Sequence, residues 1–174
     1  MNLLNIMEHR RSIRKYSGEA VSEEYLQMIL QAGLLGPTGH NARACEFVLV
    51  KEKAMLETLS KCRPAGPGML AGADAAIVVL TDGDKQDVWA EDGSIAMSFM
   101  HLMADSLGVG SCWVQVHKRI APDGRTAEEY IKEQLAIPDH YKITAMLSLG
   151  MPAENPAPKM AADVDMSKVH YEKF

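Results

Sequence analysis

Apolar and polar positions alternate along the chain in stretches that predict a sheet with helices packed on it. Two short apolar runs rich in β-branched residues, 46–51 and 75–80, have the continuous character of buried strands. Residues 111–116 and 142–149 are predicted to form two further strands. Apolar positions at helical spacing and capping residues predict helices over residues 3–9, 23–32, 53–61, 87–107 and 126–135.

The predicted helix 87–107 is the longest of the chain, and its apolar surface is unusually wide. A surface helix normally carries one apolar stripe, whereas this helix carries two adjacent rows. The pattern therefore predicts that the helix is buried on nearly all sides. The two rows are Ile95, Phe99, Met103 and Leu107, and Ala96, Met100 and Ala104.

Glycine and proline mark the ends of these elements. Gly33 and the pair Gly36-Pro37 are predicted to end the second helix. After Gly150, three prolines between positions 152 and 158 exclude a helix, and the residues that follow are predicted to form an extended tail. Because the chain has no internal repeat or linker, residues 1–174 are expected to form a single domain.

Charge and hydropathy narrow the classes of function. The formal net charge is −5 and the pI is near 5.7, so binding to nucleic acid would need a local basic cluster, and only residues 9–15 offer one. The first residues do not have the pattern of a secretory signal, and no apolar run is long enough to span a membrane. A soluble, cytoplasmic protein is expected.

Cysteine and histidine do not suggest a metal site or a disulfide framework. The cysteines at 45, 62 and 112 are odd in number and far apart, and they are expected to be free thiols. None of the six histidines has the spacing of a paired metal ligand.

A basic segment near the amino terminus offers anion-binding groups. Arg10, Arg11 and Arg14 surround the hydroxyl of Ser12 at the end of the first predicted helix. Guanidinium groups bind phosphate through charge-assisted, often bidentate hydrogen bonds, so the segment is a candidate phosphate site. The alternative is a solvated basic surface without a ligand.

A second polar segment lies between the second helix and the first strand. Residues 36–43 combine hydroxyl, imidazole, amide and guanidinium groups in a turn-rich loop. Such loops commonly bind ligands, although a polar connection that satisfies its own turn hydrogen bonds is the alternative.

Taken together, these two segments resemble the nitroreductase family, which carries an RRSxR motif followed by PTGxN. The resemblance covers the chain from about Ile6 to Lys159, because further motifs stand in the family's order and spacing. They are Asp92-Gly-Ser-Ile-Ala96, the stretch from Ala104 to Trp113 with its LGVGSCW sequence, Leu147-Ser-Leu-Gly-Met-Pro152, and Lys159.

The resemblance implies an α+β fold with a mixed, mainly antiparallel central sheet wrapped by helices. It also implies an intertwined homodimer with two FMN sites at the subunit interface. The long helix would form the core of the dimer, and the tail of about 152–174 would reach across the partner subunit.

Carried over by motif, the resemblance also implies a set of FMN-binding residues. The phosphate would be bound near the amino terminus, the partner would supply the PTGxN loop, backbone N–H groups of a strand would face the ring, and a glycine would let the last strand pass close to it. In this order the residues are Arg10, Arg11, Ser12, Arg14 and Lys159; Pro37, Thr38, Gly39 and Asn41; Gln115 and Val116; and Gly150.

The chain departs from the family pattern at two places. Where the family usually has Gln-Pro-Trp after the conserved Asn, the chain has Arg43-Ala-Cys45, so Arg43 is expected to contact either the flavin or an anionic substrate. Ala161 stands where a second basic residue commonly follows the C-terminal Lys.

The implied activity is the reduction of nitroaromatic, quinone or related electrophilic substrates by NADH or NADPH through FMN, with ping-pong kinetics. No side chain is assigned as an acid or base, because the flavin performs the chemistry. His40 and His117 are candidate substrate contacts, and the loops 62–70 and 117–125 are expected to set substrate choice. The alternatives are a related reductase acting on an enone or a halogenated compound, and a non-enzymatic dimer that binds flavin or an acidic partner.

Overall fold

Four antiparallel strands form the sheet on which the other elements pack. In this computed structural model, which describes residues 2–64 and 67–174, the strands are ordered β1-β2-β4-β3, and all three ladders are antiparallel. Their bounds are Cys45–Val50 (β1), Ala75–Asp82 (β2), Tyr141–Gly150 (β4) and Gly110–Gln115 (β3). The predicted α+β fold with a mainly antiparallel sheet is thus confirmed.

The central strand β2 explains why its sequence reads as one continuous apolar run. Every residue of β2 is buried, because the strand lies between β1 and β4 and has a hydrophobic cluster on each face. Ala76, Val78 and Leu80 face one cluster. Ala75, Ile77 and Val79 face the other, as the two-residue period of a strand requires.

Among the described residues, five of six α-helices cover the two faces of the sheet, and α1 packs against α5. Helices α2 and α5 pack on one face, whereas α3, α4 and α6 pack on the other. The predicted caps are present: Ser22 accepts the Tyr25 N–H at the start of α2, and Thr126 forms a capping box with Glu129 at the start of α6. The helices are Leu3–His9 (α1), Glu23–Leu34 (α2), Lys53–Leu59 (α3), Met69–Gly72 (α4), Trp89–Ser106 (α5) and Ala127–Leu135 (α6).

Two details differ from the predicted boundaries. Gly33 does not end α2, because it is a packing position: a Cβ added there would lie 2.8 Å from the Phe47 ring. The helix continues to Leu34, and Gly36 and Pro37 follow it. The short helix α4 was not predicted, and residues 65 and 66 of the predicted 62–70 loop lie outside the described residues.

One side of α5 is not covered by its own chain, so the predicted burial on nearly all sides is not reached within one chain, and its completion by a partner stays a prediction. Phe99 is 41% exposed, and it lines an apolar groove of about 500 Å³ between α1, α2 and α5. Leu3, Met7 and Leu35 line the same groove and are exposed as well.

The carboxyl-terminal segment runs over the surface without a strand or an α-helix, as its prolines predict. Beyond Lys159 it contains two short 3₁₀ turns, Ala161–Asp163 and Met166–Lys168. Its large apolar side chains are exposed, namely Met160, Val164, Met166, Val169, Tyr171 and Phe174.

The cysteines and the lengths of the helices bear on the class of protein expected from the sequence. All three cysteines are free thiols, with Cys62 and Cys112 buried and Cys45 partly buried. Among the helices of the described residues, none has the length and apolar character needed to cross a bilayer.

Candidate functional site

The basic segment after α1 is fixed against the ends of β3 and β4. Ser12 forms a parallel bridge with Ser111, whose carbonyl accepts the Ile13 N–H at 2.9 Å. Farther along, Ser17 N donates to the Met151 carbonyl at 2.9 Å. Backbone hydrogen bonds at both ends therefore set the direction in which the arginine side chains leave the chain.

A cavity of about 330 Å³ lies between this segment and α5. Arg10 and Ser12 are half-buried and line this cavity, so a residue with a guanidinium and one with a hydroxyl border a partly desolvated space. Donors in such a space bind an anion more strongly than donors in bulk water. The lining residues are Arg10, Ser12, Ser98, His101, Leu102 and Trp113.

His101 is the polar side chain of this cavity that the sequence analysis did not identify. It is 8% exposed, and its Nδ1 lies 2.8 Å from Ser111 Oγ. Burial, together with the positive charge of Arg10, lowers the pKa of His101 from 6.5 to about 4. The imidazole is therefore uncharged near neutral pH. Its one signal in the sequence is a histidine among the buried apolar residues of α5.

The other predicted phosphate ligands flank the cavity without lining it. Arg11 turns away, donates to the Ala157 carbonyl and lines a smaller cavity of about 140 Å³. Arg14 is exposed, and its Nη1 lies 3.4 Å from the Ser12 carbonyl. Lys159 is exposed too, and its backbone N–H donates to the Glu8 carbonyl at 2.9 Å, which holds the C-terminal segment beside α1.

The predicted PTGxN loop lies at the opposite end of α5. Gly39 N donates to Asp92 Oδ1 at 2.9 Å, and Asp92 belongs to the first turn of the helix. Arg43 N donates to Thr38 Oγ1 at 3.0 Å and so closes the loop on itself. Thr38 and Arg43 line a small cavity of about 40 Å³ together with Asp92. Pro37 and Asn41 are exposed.

The predicted site residues are thus divided between two places. Asp92, beside the loop, and His101, beside Arg10, are nine residues apart on α5, which corresponds to ~13 Å along the helix. The structure therefore brings Arg10 and Ser12 together at one end and the 37–43 loop together at the other. It does not bring the two groups together within one chain.

Strand β3 leads from the cavity to Gln115 and Val116. Trp113 lines the cavity, and its Nε1 donates to Gln115 Oε1 at 2.8 Å. The Gln115 amide donates in turn to the His117 carbonyl at 2.9 Å, so its side chain is fixed along the strand. Val116 is buried.

Gly150 has a packing reason that the sequence analysis did not predict. A Cβ at this position would lie 2.6 Å from the Tyr16 ring, so the glycine makes room for Tyr16. The expectation that it also lets the strand approach a cofactor stays a prediction. The Tyr16 hydroxyl lies 2.7 Å from Ser148 Oγ, which anchors the basic segment to β4.

The two candidate substrate histidines are not at the arginine cavity. His40 is exposed on the loop. His117 packs edge-on against Trp89, with 4.6 Å between the ring centroids. His117 also lines an open, charged cleft of about 750 Å³ on the side of the sheet that carries α6.

Comparison with known proteins matches most of the chain to one family. A model of the nitroreductase family matches residues 7–151. An FMN-dependent nitroreductase from Clostridium difficile R20291 has a similar structure, with a TM-score of 0.96 and 41% identity over 98% of this chain and 99% of that one. A protein from Methanothermobacter thermautotrophicus, provisionally named NADH dehydrogenase/NAD(P)H nitroreductase, is 34% identical over 100% of this chain and 88% of its own length.

A third relative was crystallised with a ligand. It is a provisionally named nitroreductase from Desulfovibrio desulfuricans in complex with FMN, with a TM-score of 0.79 and 25% identity over 100% of this chain and 98% of that one.

The lowered pKa of His101 predicts how stability depends on pH. Because the folded pKa is about 4 and the ordinary value is 6.5, the unfolded chain takes up this proton first as pH falls. The contribution of the uncharged His101 to the free energy of unfolding is complete above pH 6.5. It is lost as pH falls towards 4, and the total loss is about 3 kcal/mol. Urea unfolding of the flavin-free protein, at fixed protein concentration, should show this loss.

The His101→Leu variant should lack that part of the pH dependence. His170→Leu is the matched control, because His170 is exposed in the tail, and it should behave as wild type. If His101→Leu and wild type lose the same stability between pH 6.5 and 4, the assignment of an uncharged buried imidazole is wrong.

Proposed function

The chain belongs to the nitroreductase family, and we propose that it is an FMN-dependent oxidoreductase whose two identical subunits complete each flavin site together. Residues 1–174 form one FMN-binding domain in this proposal. NADH or NADPH is the electron donor, and a nitroaromatic, a quinone or a related small electrophile is the acceptor. The relatives' names, which include FMN dependence and NAD(P)H nitroreductase activity, support the assignment.

The observation that carries the proposal is the cavity beside Arg10 and Ser12. A phosphate dianion leaves water only where several donors replace its hydration, and this cavity offers a guanidinium, a hydroxyl and an imidazole. His101 is uncharged, so it does not repel Arg10. Arg14 and Lys159 lie on the chain next to this cavity, and Arg11 lies beside it; all three add positive charge for the same phosphate.

The remaining flavin contacts come from the partner subunit. Because the 37–43 loop and the arginine cavity lie at opposite ends of α5, one chain does not unite them. A two-fold axis that pairs two α5 helices antiparallel brings the beginning of one helix next to the end of the other. The partner's loop, with Pro37, Thr38, Gly39, Asn41 and Arg43, then closes the cavity over the flavin ring.

The uncovered apolar surface supports this dimer. An exposed groove of about 500 Å³ lined by Phe99, Leu35 and Met7 is costly in water, and monomeric proteins rarely keep such a patch. The tail of about 152–174 crosses the partner in this arrangement, so that its exposed apolar side chains become covered.

The chemistry belongs to the cofactor, and the residues of the chain position it. Bound FMN would accept electrons from NADH or NADPH and deliver them to the second substrate in a separate half-reaction, which gives ping-pong kinetics. The backbone N–H groups near Gln115 and Val116 would face the ring, and Arg43 of the partner subunit would supply positive charge there. Such fixed donors stabilise negative charge that develops on the bound ring.

The activity is tested with the purified protein. It should be yellow, lose its flavin absorbance on anaerobic addition of NADH or NADPH, and regain the absorbance on addition of a nitroaromatic or a quinone. Colourless protein that takes up no FMN on reconstitution would contradict the proposal. Flavin that is bound but not reduced by either nucleotide would indicate a flavin carrier.

Replacing Arg10 and Arg14 together by Ala should give colourless protein. Each charge-assisted hydrogen bond is worth about 1.5–3 kcal/mol, so the affinity for FMN should fall by about 100-fold or more. The dimer should also melt at a lower temperature, because bound flavin stabilises the folded state. Flavin content and fluorescence titration measure the effect.

The matched control for that variant is Lys61→Ala with Arg125→Ala, which removes two positive charges from the side of the sheet that carries α3 and α6. It should keep the flavin of wild type. Full flavin in the Arg10→Ala/Arg14→Ala variant would show that the phosphate is bound elsewhere.

Phe99→Glu should convert the dimer into a monomer and release the flavin. A carboxylate placed in an apolar interface loses its hydration without a partner, which costs several kcal/mol. Light scattering after gel filtration measures the mass. Ile120→Glu is the control, because Ile120 is 53% exposed on the loop after β3, and it should remain dimeric. A dimeric, yellow Phe99→Glu variant would place the interface on another surface.

A further inference from the structure

The 38–43 loop has a backbone that its own sequence does not favour. His40, Asn41 and Arg43 have φ angles of 53°, 55° and 49°, in the left-handed region that side chains other than glycine rarely adopt. Three such residues within four positions persist only where surrounding structure enforces them, and strain of this kind concentrates at ligand-binding sites.

The enforcing structure is a buried pair of side chains beneath the loop. The Gln86 amide Nε2 donates to Asp92 Oδ2 at 2.6 Å and to the Gly39 carbonyl at 3.0 Å. Asp92 Oδ1 accepts the Gly39 N–H at 2.9 Å. Gln86 and Asp92, which we call the clamp, therefore bind both backbone polar groups of Gly39, the residue just before the left-handed ones. Asp92 and Gln86 are 2% and 3% exposed.

Gly39 packs closely against the clamp and its neighbours. A Cβ added to Gly39 would lie 2.8 Å from Val88 Cγ2 and 2.9 Å from the Gln86 Nε2. The loop backbone thus rests directly on the clamp. The carboxylate of Asp92 lies in the first turn of α5, where the helix dipole favours negative charge.

The loop presents its strained residues outward. His40 and Asn41 are exposed, and Arg43 Nε donates to Asn41 Oδ1 at 3.1 Å, so even the outward side chains are ordered. The loop is held on its buried side by Gln86 and Asp92 and ordered on its exposed side by the hydrogen bond between Arg43 and Asn41. It does not contact the arginine cavity of its own chain. Such a loop is preorganised to bind a surface on another molecule.

We propose that Gln86 and Asp92 are positioning residues that hold the 38–43 loop in the conformation needed to contact the flavin bound by the partner subunit. This inference rests on the proposed function. It adds that the clamp acts across the dimer, on the flavin of the other chain, and not on the flavin bound by its own arginines.

The test begins with Gln86→Leu, which removes both amide donors at nearly constant volume. The variant should remain dimeric, its affinity for FMN should fall about tenfold, and the amides of Asn41 to Arg43 should exchange hydrogen faster in the flavin-free protein. Gln134→Leu on α6 is the matched control and should match wild type in all three measurements. A Gln86→Leu dimer with the affinity and exchange of wild type overturns the proposal.

A mixed dimer distinguishes action across the interface from action within a chain. One subunit carries Arg10→Ala with Arg14→Ala, and the other carries Gln86→Leu, with two different tags for purification. Action across the interface leaves one site unaltered, namely the arginines of the second subunit with the loop of the first. The mixed dimer should then bind one FMN with the affinity of wild type.

The contrary outcomes are distinct from one another. If the clamp acts within its own chain, each site carries one defect and no site with wild-type affinity remains, which overturns the proposal. If the wild-type homodimer binds no FMN, it is the proposed function that fails. If Gln86→Leu does not fold, Asp92→Asn takes its place in the test. This variant keeps an oxygen that accepts the Gly39 N–H, but its amide NH₂ would face the NH₂ group of Gln86, so the hydrogen bond between the two side chains is lost.

Discussion

The contact between Gly93 and Thr144 fixes α5 on the sheet, and both halves of the candidate site depend on it. A Cβ on Gly93 would lie 2.1 Å from Thr144 Oγ1 and 2.8 Å from Thr144 Cβ, so the helix backbone touches β4 at that point. Only glycine permits this approach. With the helix held there, Asp92 lies under the 38–43 loop and His101 lies beside Arg10, each at its own end of one rigid element.

This placement explains why two polar residues of α5, Asp92 and His101, are buried. Asp92 is bound by Gly39 and Gln86, and His101 is bound by Ser111. A buried polar group costs free energy unless it is hydrogen-bonded, so each of these residues persists only because the local fold supplies its partner. The two residues orient segments that lie far apart in the sequence, the first being the loop before β1 and the second the basic segment after α1.

Much of the fold could be predicted from the sequence, because local patterns decide it. The apolar run of β2, the Ser22 cap and the Thr126 capping box were all predicted, and each depends on neighbours within a few residues. Gly33 was misinterpreted as a helix end, and the packing role of Gly150 was not predicted, for the opposite reason. Their need for glycine comes from Phe47 and Tyr16, which approach from distant parts of the chain and leave no local signal.

The candidate site was predictable in composition and not in arrangement. The RRSxR and PTGxN segments were identified as ligand-binding, and both are ordered by specific hydrogen bonds. Their separation along α5 does not follow from the residues alone, because it depends on which end of the helix each segment contacts; only the family resemblance implied that the loop would come from the partner. Gln86 and His101 were missed since an isolated glutamine or histidine acquires a role only through its tertiary partner.

In the proposed dimer, each cavity is completed by the other chain, so flavin binding and subunit association stabilise one another by linkage. A half-site with Arg10 and Ser12 alone leaves the flavin ring in water, and a loop alone leaves three strained residues without a contact. In the proposed dimer, the division of the site between two chains thus makes the folded, paired and cofactor-bound states of the protein parts of one equilibrium.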